Sequence, residues 1–498
     1  MTLGDVGAVT PARRDRHEDA EAVPAESSQR SAPPEGTDVP EPARAWADDA
    51  RPATALAWVD LAAVAEGSVA PPLDAPAGTD RSAGLLQGAR LRPEFLRPRL
   101  LVPFGVLVGL AASYSGATLA WPLHELPPTV EAAQVAVAPA PPATVTWPVE
   151  GSASVGIAGM GTVASSPAPA SIASITKVVS SLMVLDRMPL ALGEQGPAFS
   201  FDRGDNLDYW AYRRANQSAL DVPVGGTLTE LQLLQGTLLG SANNYIDRLS
   251  EEIWGSDAAF AAAAAVWLRD RGLEGITVAT PSGFDARNVA TPEALVKLGE
   301  KAMQNPVFAS IVGTASVELP GAGVVTNTNG MLADPGVVGI KTGSLIGHNL
   351  LTAKDVTVDG TTVRLYSAVL GQSGDDQRLA ATRSLLAEAE AALESQAPAV
   401  EAGTVVGEVQ TAWGETVDVV TDADAEVVLW NSATAKVASM FDVGEDRESG
   451  DEVGVLTATG PLNAVETPLT LAEDLEGPSP WWRLTHPLEL FGLTASQR

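Results

Sequence analysis

The chain of 498 residues contains no cysteine and only four histidines. Disulfides, thiolate metal sites and cysteine nucleophiles are therefore excluded, and a His-rich metal site is not expected. Basic residues are also scarce: 31 Lys and Arg stand against 62 Asp and Glu, which gives a formal net charge of −31. Because a nucleic-acid partner requires a basic face, no such partner is expected. No metal ion or cofactor is expected either.

Lysine is much rarer than arginine among the 31 cationic residues. It occurs at six positions: Lys177, Lys297, Lys301, Lys341, Lys354 and Lys436. Lys177 ends Ser174-Ile175-Thr176-Lys177, and Lys341 opens Lys341-Thr342-Gly343; no other lysine has a serine three positions before it or Thr-Gly after it. Arginine would keep the charge but cannot give up its proton to act as a base. The two lysines therefore indicate chemistry rather than charge.

Ser174 and Lys177 have the spacing of neighbours on one helix face. We expect Ser174 to open a helix, so that its own N–H stays free to bind a developing oxyanion. Lys177 would accept the serine proton, which requires a pKa well below the ordinary lysine value of about 10.4. Burial and a second cation, for which Lys341 is the candidate, would both lower it. The alternative for Ser-x-x-Lys alone is a buried serine beside a snorkelling lysine.

A third short motif, Ser241-Ala242-Asn243, lies between these two and follows a predicted helix. Ser241 is a candidate for moving a proton between the lysines and the leaving amine, and Asn243 for orienting Lys177 and binding a substrate amide. By itself Ser-x-Asn is a weak signal, but the three motifs occur in a usable order.

The Lys341-Thr342-Gly343 motif ends an apolar run typical of a strand. Lys341 and Thr342 are candidates for binding a substrate carboxylate, as is Arg378 in a predicted loop, since arginine binds carboxylates with two hydrogen bonds. Gly343 would let an extended substrate approach. The N–H of Ser344 is the candidate second oxyanion donor.

The composition changes along the chain and divides it into six segments. They are a disordered acidic Ala/Pro-rich tail (1–89), a basic flank and transmembrane helix (90–121), a Pro/Ala-rich spacer (122–146), a mixed α and β catalytic domain (147–395), a small all-β domain (397–477) and a C-terminal tail (478–498). Within the β domain the predicted strands include residues 425–431. In the C-terminal tail we expect the Trp481-Trp482 pair to pack in a core.

The uncharged run Leu100–Trp121 is long enough to cross a bilayer and follows four arginines. By the positive-inside rule the tail stays in the cytoplasm and the catalytic domain lies outside a bacterial cytoplasmic membrane. A cleaved signal peptide is the competing interpretation, but the run begins about a hundred residues into the chain. The tail therefore suggests a cytoplasmic partner.

Four stretches carry a family resemblance: SIASITKVVSSLMVLD, TLTELQLLQGTLLGSANN, TPSGFD and NTNGMLADPGVVGIKTG. Over about residues 147–395 the chain resembles the D-alanyl-D-alanine carboxypeptidases among the low-molecular-mass penicillin-binding proteins. The resemblance implies an α+β serine-peptidase fold with a sheet flanked by helices, and many members carry a following β domain. It implies that the terminal D-Ala-D-Ala of peptidoglycan stem peptides acylates Ser174, that water releases the shortened peptide, and that β-lactams acylate the same serine.

The sequence departs from the family pattern after Gly343, where Ser344–Asn349 replaces the Ala-Gly pair that members often show. Substrate preference and turnover are therefore less defined than the nucleophile. The alternatives are a serine β-lactamase or a D,D-endopeptidase with the same motifs, and a catalytically idle wall-binding scaffold. No Glu-x-x-Leu-Asn stretch, which a β-lactamase would use to activate water, lies between the second and third motifs.

Overall fold

The structure is a computed structural model. It describes residues 98–123, 126–444 and 448–493. The predicted tail at 1–89 and most of the arginines before the apolar run lie outside these residues.

The described helices are, in chain order, α1 (Pro98–Ala120), α2 (Thr176–Arg187), α3 (Arg203–Arg214), α4 (Glu230–Leu238), α5 (Asn243–Trp254), α6 (Asp257–Asp270), α7 (Pro292–Met303), α8 (Pro306–Val312), α9 (Asp375–Glu394), α10 (Pro480–Thr485) and α11 (Pro487–Leu490). The described strands are β1 (Thr129–Ala132), β2 (Ser152–Ile157), β3 (Gly161–Ala164), β4 (Ala170–Ser171), β5 (Ala198–Ser200), β6 (Thr227–Thr229), β7 (Ile276–Thr277), β8 (Val289–Ala290), β9 (Ser316–Leu319), β10 (Gly323–Thr326), β11 (Val337–Leu345), β12 (Gly347–Val358), β13 (Thr361–Gln372), β14 (Val405–Gln410), β15 (Thr416–Thr421), β16 (Lys436–Phe441), β17 (Glu452–Thr459) and β18 (Ala464–Leu471).

A five-stranded antiparallel sheet forms the centre of the first domain, in the order β11-β12-β13-β2-β3. Successive side chains of β13 alternate between two cores, as the period of a strand requires. Tyr366 and Ala368 join the core on the side of α7, whereas Leu365 and Val369 join the core on the side of α9. Helices therefore cover both faces of the sheet, and the predicted α+β class with a flanked sheet is confirmed.

Helix α2 lies in the middle of the larger core, and residues 176–185 are all buried. It packs against α4, α5, α6 and α7. A helix buried on all sides must be apolar all round or have its polar groups paired. Lys177 is therefore placed in the least exposed helix of the domain, and its amine requires partners there.

The second domain is built on a six-stranded sheet in the order β1-β14-β15-β18-β17-β16. Its first strand, β1, comes from the segment predicted as a spacer and pairs antiparallel with β14. The segment 122–146 is therefore not only a spacer, because part of it completes the sheet of the β domain. Four residues gave too short an alternation to reveal this from the sequence.

Residues 425–431 were predicted as a strand, and the structure shows irregular chain there apart from a single bridge at Ala425. Their side chains nevertheless alternate. Val427 and Leu429 lie in the core of the β domain, while Val428 and Trp430 lie in the core on the α9 side of the central sheet. This segment joins the two domains, and burial on both sides explains its strand-like pattern.

Helix α1 is long and apolar enough to span a membrane over Leu101–Ala120, and 6% of its span is buried. The C-terminal tail lies against its end: Tyr114 Oη donates to Leu484 O (2.7 Å) and Arg483 Nη1 donates to Trp121 O (2.8 Å). The expected core packing of the tryptophan pair is wrong for Trp481, which is 74% exposed.

Candidate active site

The candidate nucleophile lies in a tight turn between β4 and α2. Ser174 belongs to a 3-10 turn, Ala173–Ile175, and α2 begins two residues after it, at Thr176. Ser174 therefore does not open the helix as predicted, because a short 3-10 turn that contains Ser174 precedes α2. Ala173 has a φ of +48°, which is costly for a residue with a side chain and is found where surrounding structure enforces it. The turn leaves Ser174 partly exposed, whereas its neighbours on both sides are buried.

Lys177 lies one turn below Ser174 and is completely buried. Its Nζ lies 2.8 Å from Ser174 Oγ, 2.6 Å from Asn243 Oδ1 and 2.7 Å from Ser282 O. An ammonium donates to all three oxygens. A neutral amine donates to the amide and the carbonyl and accepts from the serine hydroxyl, which is the arrangement that a general base requires.

Burial lowers the pKa of Lys177 to about 7, although the carboxylate of Asp247 opposes this shift. The lysine is therefore poised near neutral pH, as a base that works at this pH should be. The expected second cation, Lys341, is not the cause of the lowered pKa of Lys177. Instead burial, together with the charges of Lys177 and Arg378, holds the pKa of Lys341 well below its ordinary value.

Asn243 is the first residue of α5, and Ser241 precedes it in the left-handed region with a φ of +59°. Both side chains are buried. Asn243 Nδ2 donates to Gln217 Oε1 (2.7 Å), so its oxygen is turned towards Lys177. Gln217 was not identified from the sequence, since it belongs to none of the motifs.

The stretch TPSGFD supplies a loop beside the nucleophile turn. Its Ser282 carbonyl accepts from Lys177, and Gly283 has a φ of +78°. A Cβ at Gly283 would lie 2.1 Å from Ala173 O. Buried Asn288 holds the loop by accepting from Ala279 N and Thr280 N. The sequence showed this stretch only as part of the resemblance, and the structure makes it the wall of the lysine site.

The Lys341-Thr342-Gly343 motif lies on β11, an edge strand of the central sheet, next to the nucleophile turn. A Cβ at Gly343 would lie 2.6 Å from Ile172 O and 3.2 Å from Ser174 N. The glycine therefore gives room to the backbone of the nucleophile turn, a reason that the sequence did not indicate. Lys341 and Thr342 are buried, and Lys341 Nζ donates to Thr342 O (3.2 Å).

Arg378 lies in the first turn of α9 and not in a loop as predicted. Its Nη1 donates to Asn349 O (3.1 Å) and lies 3.4 Å from Ser344 Oγ, while Nη2 forms an ion pair with Asp375. The guanidinium is therefore next to Ser344, at the end of β11. The predicted carboxylate-binding residues therefore lie on two elements, Lys341 and Thr342 on β11 and Arg378 in the first turn of α9.

The segment that departs from the family pattern is a tight hairpin between β11 and β12, with Leu345 opposite Gly347 and Ile346 exposed at the tip. Asn349 at its base is buried, donates to Ser171 O (2.9 Å) and accepts from Gly371 N (2.8 Å). The hairpin is therefore tied to the strand that leads to the nucleophile turn.

Residues 164–374 match the profile of the Peptidase_S11 family, D-alanyl-D-alanine carboxypeptidase. A curated relative, D-alanyl-D-alanine carboxypeptidase DacB2 of Mycobacterium tuberculosis, is 32% identical over 180 residues, which are 34% of this chain and 57% of the relative. The chain thus spans less than two thirds of that relative. The family resemblance drawn from the motifs is confirmed over this segment.

Two solved structures superpose on part of the chain. Penicillin binding protein 5 from Haemophilus influenzae superposes with a TM-score of 0.46 and 18% identity, over 67% of this chain and 99% of the other. The Streptomyces K15 DD-transpeptidase superposes with a TM-score of 0.44 and 22% identity, over 50% of this chain and 100% of the other.

Proposed function

We propose that the chain is a serine-type D-alanyl-D-alanine carboxypeptidase that removes the terminal D-Ala from peptidoglycan stem pentapeptides during cell-wall remodelling. The observation that carries the proposal is the contact of 2.8 Å between Lys177 Nζ and Ser174 Oγ, made by a buried lysine whose pKa is lowered to about 7. This pair supplies an activated nucleophile without histidine. The family match over residues 164–374 supports the substrate class.

In the acylation step Ser174 Oγ attacks the carbonyl of the D-Ala-D-Ala bond and its proton passes to Lys177 Nζ. The N–H groups of Ser174 and Ser344 bind the oxyanion, since Ser174 N lies beside Gly343 and Ser344 is the next residue in the chain. The C–N bond then breaks, and the leaving amine takes a proton through Ser241. An acyl-enzyme remains on Ser174. Water hydrolyses it, with Lys177 accepting the water proton; a β-lactam acylates the same oxygen.

The substrate carboxylate is the group that we assign to the end of β11. Lys341 and Thr342 lie on β11 and Arg378 lies beside Ser344 of the same strand, and two of these residues are cationic in their ordinary state. A carboxylate brought between them would restore the charged form of Lys341, whose pKa is lowered in its absence. This explains why a C-terminal residue, rather than an internal peptide bond, suits the site.

We further propose that α1 anchors the chain as a single-pass helix in a bacterial cytoplasmic membrane, with the N-terminus inside and the catalytic domain outside. The span Leu101–Ala120 and the arginines before it support this orientation. The contacts of the C-terminal tail with the end of α1 would place exposed Trp481 near the membrane surface, where tryptophan is enriched. The N-terminal tail would then meet a partner in the cytoplasm.

The test is labelling by a fluorescent penicillin, followed by release of D-Ala from a stem pentapeptide. Wild type should be labelled and Ser174→Ala should not, with Ser395→Ala at an exposed position as the control. An unlabelled wild type would favour the idle scaffold. Rapid turnover of the β-lactam would point to a β-lactamase, and cleavage of cross-linked peptide without D-Ala release would point to an endopeptidase.

A further inference from the structure

A carboxylate acts on the pKa of the candidate base, and it belongs to a residue outside the three motifs. Asp247 is in α5, four residues after Asn243, and side chains four apart lie on the same helix face. Asn243 accepts from Lys177 Nζ on that face, and α2 packs against α5, so Asp247 lies on the same face of α5 as a residue that binds the lysine.

The proposed function requires a lysine that is neutral before the reaction and an ammonium after it. We propose that Asp247 is a positioning residue that controls this change of charge at Lys177, a role that rests on the acyl transfer proposed above. It would act through electrostatics, without touching the substrate.

The surroundings of Asp247 hold its carboxylate in one orientation. Tyr212 Oη of α3 donates to Asp247 Oδ2 (2.8 Å). The other oxygen, Oδ1, is buried and has no hydrogen bond of ordinary geometry among the described residues, although the Ser282 hydroxyl lies close enough to lower the pKa of the carboxyl. An unpaired buried carboxylate oxygen is costly, and a nearby cation is the usual compensation. Lys177 is the cation whose charge lowers the pKa of Asp247, and Ser282 lies next to both residues, because its carbonyl accepts from Lys177 Nζ.

Of the other groups around this carboxylate, some raise the pKa of Asp247 and others lower it. Burial is the largest effect and raises the pKa of Asp247 to about 6, and Asp257 at the start of α6 raises it too. The hydroxyls of Tyr212 and Ser282 lower it, as Lys177 does. Above pH 7 the carboxylate is therefore ionised while Lys177 is neutral. When the serine proton arrives, the new ammonium lies in the field of an existing negative charge.

The experiment is the pH profile of acylation by a fluorescent penicillin, measured on the full chain between pH 5 and 9. Asp247→Asn removes the charge that raises the pKa of Lys177. We expect the acid limb of the profile to move down by about half a pH unit or more. The plateau should fall by about 3–10-fold, because a base of lower pKa accepts a proton less well. Asp247→Glu keeps the charge, so the acid limb of its profile should lie close to that of wild type.

Asp208→Asn is the matched control, since it removes the same charge from an exposed position of the neighbouring helix α3. Its profile should superimpose on that of wild type. Tyr212→Phe keeps the carboxylate but removes its hydrogen bond, and should give a smaller shift in the same direction. This variant tests the idea even if Asp247→Asn does not fold.

The outcomes separate this inference from the proposed function. A wild type that is not acylated at any pH overturns the proposed function itself. A wild type that is acylated, with an Asp247→Asn profile lowered equally at every pH and an unmoved limb, overturns the inference alone and leaves Asp247 a structural residue. A shift of equal size in Asp208→Asn would do the same, because it would reflect net charge.

Discussion

Replacing Gly343 by alanine should slow acylation, because the added methyl group would clash with the backbone of the nucleophile turn. The added Cβ would lie 2.6 Å from Ile172 O, and 3.2 Å from Ser174 N and Ile175 N. Carbon contacts are optimal at about 3.5–4.0 Å, so the closest one is short by roughly 1 Å. Backbone lies on both sides of the contact, and no flexible side chain can relieve it.

The displacement would be shared between β11 and the nucleophile turn, which moves Ser174 by several tenths of an ångström. Misplacement of about 1 Å can cost about 100-fold in rate, so we expect acylation to fall about 10–100-fold. Forcing a methyl group into a packed site costs about 1–3 kcal/mol of stability. The assay is the rate constant for acylation by two β-lactams of different size, with thermal melting as the measure of folding.

The size of the β-lactam separates two reasons for the glycine. If Gly343 only makes room for an extended substrate, the smaller compound should lose much less than the larger one. If it makes room for the nucleophile turn, both should lose equally. Gly330→Ala is the matched control, because its Cβ would meet only the movable end of Leu379. An unchanged rate in Gly343→Ala would refute the reasoning.

Lys177→Arg should reduce acylation by about 10²–10⁴-fold, because arginine does not deprotonate, whereas exposed Lys297→Arg should not change the labelling. Wild-type acylation should fall as the pH decreases below about 7, where Lys177 becomes protonated, and an acid limb near pH 10 would contradict its lowered pKa. Gln217→Ala frees the Asn243 amide and should slow acylation by about 2–10-fold, the equivalent of one hydrogen bond; an equal rate would show that the amide is held by other contacts. Trp481→Ser should leave the melting temperature unchanged because the side chain is 74% exposed, and a clear loss would support the core packing first expected.

Several elements were predictable because they depend on neighbouring residues alone. Local apolar patterns predict strands at 350–353 and 363–370 and helices at 291–303 and 380–393. The structure has these elements as β12, β13, α7 and α9, and β12 is three times as long as predicted. The predicted strand at 425–431 was wrong because side chains can alternate in burial without belonging to a strand of a sheet. There the alternation comes from two different cores on the two sides of the segment.

The sequence by itself determined which chemical groups are present and in which order: a lysine-poor chain without cysteine places Ser174, Lys177 and Lys341 in three short motifs. Covalent spacing also sets Ser174 and Lys177 one turn apart, because helix geometry is local. Only the tertiary structure decided that Lys177 is buried with a pKa of about 7, since desolvation depends on segments that are distant in sequence. The same holds for Gln217, Asp247 and the close approach at Gly343, which arise where separate elements pack and therefore leave no pattern along the chain.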